Sequence, residues 1–258
     1  MYFHREPLVV RLSKLADSGQ TGVLRLPGEY GGAIHLSEGD VVYAESRRTP
    51  GPGRWFAQLQ PPDQPNAPAP PVGPVPPGGM AGNGLAWSFA VREATIDAAL
   101  ELLSSRPRYS LRQRFRESGP PVVDGAGAMP FTALLVEVGR RQELVKQMAT
   151  AATPLTADTP VVRNPDLHAP RLQVSTLQWA LLIRVNRPTT PRELAWEVGN
   201  SVFATTLEVF RLISLNFLQT ARRPDPRSLR DQAPPEPGEN APHRTGRQMV
   251  SFLRAVTR

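Results

Sequence analysis

The chain contains no cysteine, which excludes disulfide bridges and thiolate metal sites and fits a reducing compartment. Lysine is nearly missing too. Lys14 and Lys146 are the only two among 30 basic residues, and an arginine usage of this kind reflects base composition of the genome at least as well as selection for phosphate binding. No apolar run reaches the roughly 20 residues that a membrane span needs, and the N-terminus MYFHREPLVV lacks a signal-peptide layout. A soluble, cytoplasmic protein with no integral membrane association is expected. The catalytic vocabulary is thin as well: there is no G-x-x-x-x-G-K-[ST] loop, H-E-x-x-H helix or G-x-S-x-G elbow. His4, His35, His168 and His243 are scattered singly without metal-ligand spacing. The expectation is therefore a non-enzyme with no catalytic residue, cofactor or metal.

What is present is proline, 29 residues of it in a chain of 258, and its distribution organises the reading. Residues 50–84 hold the densest stretch. Proline removes backbone donors and favours extended chain, so a disordered insertion is expected there; its Pro-x-x-Pro spacings, such as Pro65–Pro68, are also what a proline-reading partner would bind. Before it, Leu8–Asp17 reads as a helix, and Val23–Leu26, Ala33–Leu36 and Val41–Ala44 read as three strands of an antiparallel meander. His35 alternates with Ile34 and Leu36 and is expected exposed on the opposite face. After the insertion, Arg92–Ser104 reads as a helix, Tyr109–Phe115 as a half-buried strand and Phe131–Met148 as an amphipathic helix. Residues 151–171 read as a proline-spaced connector.

Three stretches resemble the PATAN domain family, the N-terminal module of PatA-type bacterial regulators. The first is L-L-x-E-x-x-R-R at Leu134–Arg141, which is similar to the helix closing that domain. The second and third are S-x-x-T-G-x-L from Ser18 and G-x-I-x-L-x-x-G-x-V-V-x-A from Gly32. Val145 stands where an aromatic is usual, and the acidic pair after the two arginines is reduced to Glu143. The resemblance implies an α+β domain over residues 1–150, followed at 172–220 by a winged-helix-like module, and a role as a signalling or gene-regulatory adaptor. The resemblance implies a protein partner without identifying it, of the signalling class to which Ras-like GTPase systems and response regulators belong. On this reading Glu137, Arg140 and Arg141 are the partner-binding candidates, on the polar side of a helix whose other side enters the core.

The C-terminal module has clear local grammar. Ser175–Val185 reads as a helix. Thr190-Pro191-Arg192-Glu193 combines an N-cap, proline at the first helical position and a capping-box glutamate. Gly199 closes that helix, Ser201 caps the next, and Phe203, Leu207, Phe210, Ser214 and Phe217 are expected to form its buried side. Three helices so arranged read as a helix-turn-helix, whose candidate DNA contacts are Asn200, Ser201, Thr205 and Arg211, with Arg222 and Arg223 for phosphates. The net charge of +7 lies largely in the tail, at residues such as Arg227, Arg230, Arg244, Arg247, Arg254 and Arg258, so the recognition edge itself is poor in base. Residues 221–245 read as a disordered linker. Residues 246–258 form a short basic amphipathic segment with Met249, Val250, Leu253 and Val256 on one side. The function expected is a non-catalytic adaptor working through protein contacts, and the alternative is a DNA-binding transcriptional regulator.

Overall fold

The computed structural model describes residues 7–59, 84–104, 113–118, 127–149, 155–166 and 173–221. All of them fall in one compact unit ending at Ala221. The second unit, Arg222–Arg258, lies outside the described residues, and with it Arg222, Arg223 and the amphipathic segment at 246–258. In chain order the elements are α1 (Leu8–Asp17), β1 (Gly22–Leu26), β2 (Gly32–Ser37), β3 (Asp40–Ser46), α2 (Pro52–Leu59), α3 (Gly84–Ser104), β4 (Arg114–Glu117), α4 (Phe131–Ala149), β5 (Val161–Arg163), α5 (Thr176–Arg184), α6 (Pro191–Val198), α7 (Val202–Ser214) and β6 (Leu218–Thr220). The fold is mixed α+β.

β1 to β3 form the expected meander, and β4 adds on the far side to give an antiparallel sheet of order β3-β2-β1-β4. The β2–β3 turn is set by Glu38 and Gly39, both at positive φ (51° and 87°), as a two-residue type I′ hairpin requires. Gly39 has a second reason to be glycine: a Cβ there would lie 2.3 Å from the Ala16 carbonyl oxygen, so the turn sits directly on the end of α1. One sheet face carries Leu24, Leu26, Ile34, Leu36 and Ala44. It packs against Leu12, Ile96, Ala99, Leu102, Phe131, Leu134 and Val138 of α1, α3 and α4. Burying a large aliphatic chain of this kind contributes roughly 1.5–3 kcal/mol, so this layer is the principal core. On the opposite face His35 points away from Ile34 and Leu36, as alternation demands. It is half-buried against Tyr43, with ring centroids 5.5 Å apart, rather than exposed. Burial and the Arg25 cation lower its pKa to about 4, which keeps it neutral.

Two expectations are corrected. The proline-rich stretch begins with a helix, α2, because Pro52 occupies its first turn, where the missing N–H costs nothing. Trp55 anchors that helix, 7% exposed, in a satellite cluster with Trp87, Ala90, Val91 and Ala94, and α3 accordingly starts at Gly84 rather than Arg92. Residues 60–83 lie outside the described residues, as do 109–112 of the strand expected at Tyr109–Phe115; the strand seen, β4, runs Arg114–Glu117 and so ends two residues later. The stretch 151–171 is more than a connector. Val161, Val162 and Arg163 pair antiparallel with Thr220, Gln219 and Leu218, and Val161 bridges Thr189. Leu155 and Val161 are buried with Leu181, Val185, Leu194, Val198, Val209, Leu212 and Phe217 in a second core. Only three residues form β5, and its partner lies at the far end of the helical half, so no local pattern announces it.

Helix starts behave as their sequences dictate. Thr190 and Glu193 form a reciprocal capping box, Gly199 ends α6 in the left-handed conformation, and Ser175 with Gln178 makes a second box on α5. The buried side of α7 is different from that expected. Val202, Thr205, Thr206, Val209 and Leu212 are its buried residues, whereas Phe203, Leu207 and Phe210 are half-buried and Ser214 is exposed. The helix is covered on two sides, by the second core and by α3 and α4, and the combined footprint is rotated from the stripe of largest side chains.

Candidate functional site

The candidate site is the junction where α3 and α4 meet α6 and α7. At its centre is Asp97, a carboxylate of α3 set between Ile96 and the apolar stretch Ala98–Leu100. It is buried, and it faces the first turn of α7, where backbone N–H groups have no helical partner. Ser201 Oγ donates to Asp97 Oδ1 at 2.8 Å, Val202 N to Oδ2 at 2.9 Å and Phe203 N to Oδ1 at 3.1 Å. The Ser201 hydroxyl in turn accepts from Ala204 N at 3.2 Å. Burial pushes the Asp97 carboxyl pKa up, opposed by these three donors and the Arg141 cation. A carboxylate at a helix N-terminus also gains from the helix dipole.

Arg141 forms the second tie. Its side chain donates to Glu93 Oε2 of α3 and Glu137 Oε1 of α4, both at 2.8 Å, and its guanidinium lies 5.0 Å from the ring centroid of Phe203 on α7. At 5% exposed, Arg141 is an internal strut and not the surface contact that its sequence pattern suggested. Arg140 is the surface residue of the pair, with its side chain 56% exposed and held by Glu137 at 2.7 Å. Hydrogen bonding from Arg140, offset by burial and reinforced by Arg141, lowers the Glu137 pKa to about 2. Val136, 74% exposed, and the exposed Glu143 share a helical strip with Arg140.

A third tie is a closed ring of two arginines and two acids. Arg48, just after β3, contacts Glu101 of α3 at 2.8 Å and Asp158 at 2.6 Å. Arg192 of α6 binds the same Glu101 at 3.1 Å and takes Asp158 in a bidentate grip at 2.7 and 3.2 Å. Burial raises the Asp158 pKa, but the bonds and charges of Arg192 and Arg48 outweigh it and hold the carboxyl below its ordinary value. Arg48 also stacks over Tyr30 at 4.3 Å. Arg54 of α2 lies 5.2 Å over the ring of Trp196 on α6 and donates to its carbonyl. Two apolar cores are thus joined by neutral donors on Asp97, by the Arg141 contact with Phe203 and by the charge ring of Arg48, Glu101, Arg192 and Asp158.

The sequence-derived DNA contacts fare unevenly in this geometry. Ser201 is buried on Asp97, and Asn200 Oδ1 accepts from the Ser201 N–H at 2.8 Å, so both serve the start of α7. Thr205 is 0% exposed and cannot reach a base edge; its hydroxyl is buried without a partner. Arg211 does face outward, 62% exposed and paired with Glu208. The sequence reading missed Asp97, Glu93, Arg48 and Arg192. The one available signal was Asp97 set directly between Ile96 and Ala98-Ala99-Leu100, a placement that demands a partner once buried.

The unpartnered Thr205 hydroxyl carries a prediction. A buried polar group without a hydrogen bond costs about 1–3 kcal/mol, so Thr205→Val, which keeps the branched shape, should raise stability by about 1 kcal/mol in a denaturant titration. A clear loss would mean that the hydroxyl has a partner.

Among the described residues no group of His, Asp and Glu side chains gathers as metal ligands, and no helix is long and apolar enough to cross a membrane. What the geometry defines is an architecture: an α+β chain whose sheet-based and helical cores are tied by a buried, hydrogen-bonded carboxylate and a ring of paired charges. Compared with known proteins, the chain matches no family model, no curated protein and no solved structure.

Proposed function

We propose that this chain is a non-catalytic bacterial adaptor, a PATAN-like half joined to a winged-helix-like half, acting in signalling or gene regulation through protein contacts. The observation that supports this reading most is the capping of the first turn of α7 by Asp97. A helix-turn-helix reads DNA with the N-terminal residues of its second helix, and here those residues are engaged by α3. The partner surface on this reading is the outward strip of α4 around Val136 and Arg140, since Arg141 is committed internally.

The alternative is a DNA-binding regulator, which keeps the exposed Arg211 and, outside the described residues, Arg222 and Arg223 as candidate contacts. Selection of binding sequences from a random duplex pool with the full chain separates the two. The adaptor reading expects no enriched motif, and any residual DNA affinity should be sequence-independent and fall steeply with salt, as simple phosphate neutralisation does. An enriched motif whose binding is lost in Arg211→Ala would overturn the proposal in favour of a reader.

A further inference from the structure

One corner of the sheet collects arginines with a different character. Arg25 of β1 lies directly opposite Arg114 of β4 in the antiparallel register. Arg47, just beyond β3, is pinned to the same corner by its N–H bond to the Gly31 carbonyl at 3.1 Å. The three line one open cavity of about 670 Å³ together with Leu26, Pro27, Gly32, Glu45 and Ser46. By strand alternation Arg25, Glu45 and Arg114 project to the sheet face away from the main core. All three arginines are exposed.

Like charges placed directly across a strand pair are destabilising. Arg48, Arg141 and Arg192 each have a carboxylate partner, whereas Arg25, Arg47 and Arg114 make no ion pair among the described residues. A cost left uncompensated in the free chain, at three planar guanidinium forks around one cavity, is what a bound phosphate would relieve. Glu45 supplies an acceptor for sugar-type hydroxyls, Ser46 a small hydroxyl, and Pro27 with Leu26 an apolar wall for a ring. The cavity falls in the size range of small-ligand sites.

We infer that this corner binds a phosphate-bearing small molecule of nucleotide size, with Arg25, Arg47 and Arg114 on the phosphates and Glu45 on the hydroxyl-bearing part. The inference is independent of the adaptor reading, because the site lies on β1, β3 and β4 and uses none of the junction residues.

Titration of the full chain, isotope-labelled for amide NMR, with ADP, inorganic pyrophosphate and adenosine tests it at 0.15 M salt. ADP and pyrophosphate should shift the amides of Arg25, Leu26, Glu45, Ser46, Arg47 and Arg114, and adenosine alone should not. Arg25→Ser and Arg114→Ser should each weaken ADP binding at least about tenfold while leaving the melting temperature unchanged or higher, since each removes a like-charge contact. Three results would overturn the inference: no shifts at millimolar ADP, shifts that persist undiminished in both variants, or shifts produced by a single-stranded oligonucleotide and not by ADP. The last would mark the corner as a nucleic-acid surface. A fall in melting temperature in both variants would show the arginines to be structural and would equally end it.

Discussion

Asp97→Ala is expected to lose roughly 2–4 kcal/mol of stability, because it removes a helix cap and leaves two backbone N–H groups and a hydroxyl buried without their acceptor. No other single carboxylate among the described residues accepts from the start of α7, so the loss should be local as well as global. Hydrogen exchange at Val202 and Phe203, whose amides bond Asp97 at 2.9 and 3.1 Å, should accelerate more than at Val209 in the middle of the same helix. Asp97→Asn should fall between: it keeps one acceptor oxygen but turns an N–H₂ group toward a backbone donor. If Asp97→Ala shifts the unfolding free energy by less than about 0.5 kcal/mol and leaves those amides protected, the junction is not held in the way the hydrogen bonds imply. An increase in sequence-specific DNA binding by the same variant would show that the cap had been withholding a reader.

Arg141→Ala comes next in expected size. Removing one partner of a buried pair costs about 3–5 kcal/mol when both charges are sequestered. Here Glu93 and Glu137 keep 23% and 26% of their side chains exposed, so water recovers part of the loss and about 2–3 kcal/mol is the expected figure. Arg140→Ala, at an exposed position three residues from the same glutamate, should leave the midpoint almost unmoved, as surface pairs usually do. The two adjacent arginines therefore separate structure from contact. Should the two substitutions prove equally mild, Arg141 is no strut; should Arg140→Ala prove the more harmful, the packing described for α4 is wrong.

Acid titration reads the same pair from the carboxylate side. Glu137 is lowered from 4.5 to about 2 in the folded chain, so the folded state binds fewer protons than the unfolded state between these values. Its contribution is complete above about pH 4.5 and is lost as pH falls toward 2. Wild type should lose stability across that window more steeply than Glu137→Gln, in which the titrating group is gone. Parallel acid-unfolding curves for the two proteins would remove Glu137 from the account.

Much of the local structure was legible because its causes are local. A threonine, a proline and a glutamate within four residues state where α6 begins, and Glu38-Gly39 permits the positive φ values that close the β2–β3 hairpin. Alternation in β1 to β3 and helical spacing in α4 likewise placed the main core. The polar face of α4 was legible only in part: Arg140 and Arg141 are adjacent and chemically identical, and one is exposed while the other is buried. Helical spacing sets Arg141, three residues after Val138 and seven after Leu134, on the buried side of α4, but the groups that receive its charge there, Glu93 from α3 and the Phe203 ring from α7, lie outside the helix.

The chain's own sequence thus determined α1, the β1 to β3 meander, α4, the starts of α5, α6 and α7, and which chemistries lack their residues, because these follow from backbone preference, capping and composition over a few neighbouring positions. Tertiary structure alone decided the pairing of β5 with β6, the rotated buried face of α7 and the internal use of Ser201, Thr205 and Arg141. Each depends on groups far apart in the chain, as with the 104 positions between Asp97 and Ser201. A buried carboxylate must find donors wherever the packing of helices brings them, and local sequence carries no record of that meeting.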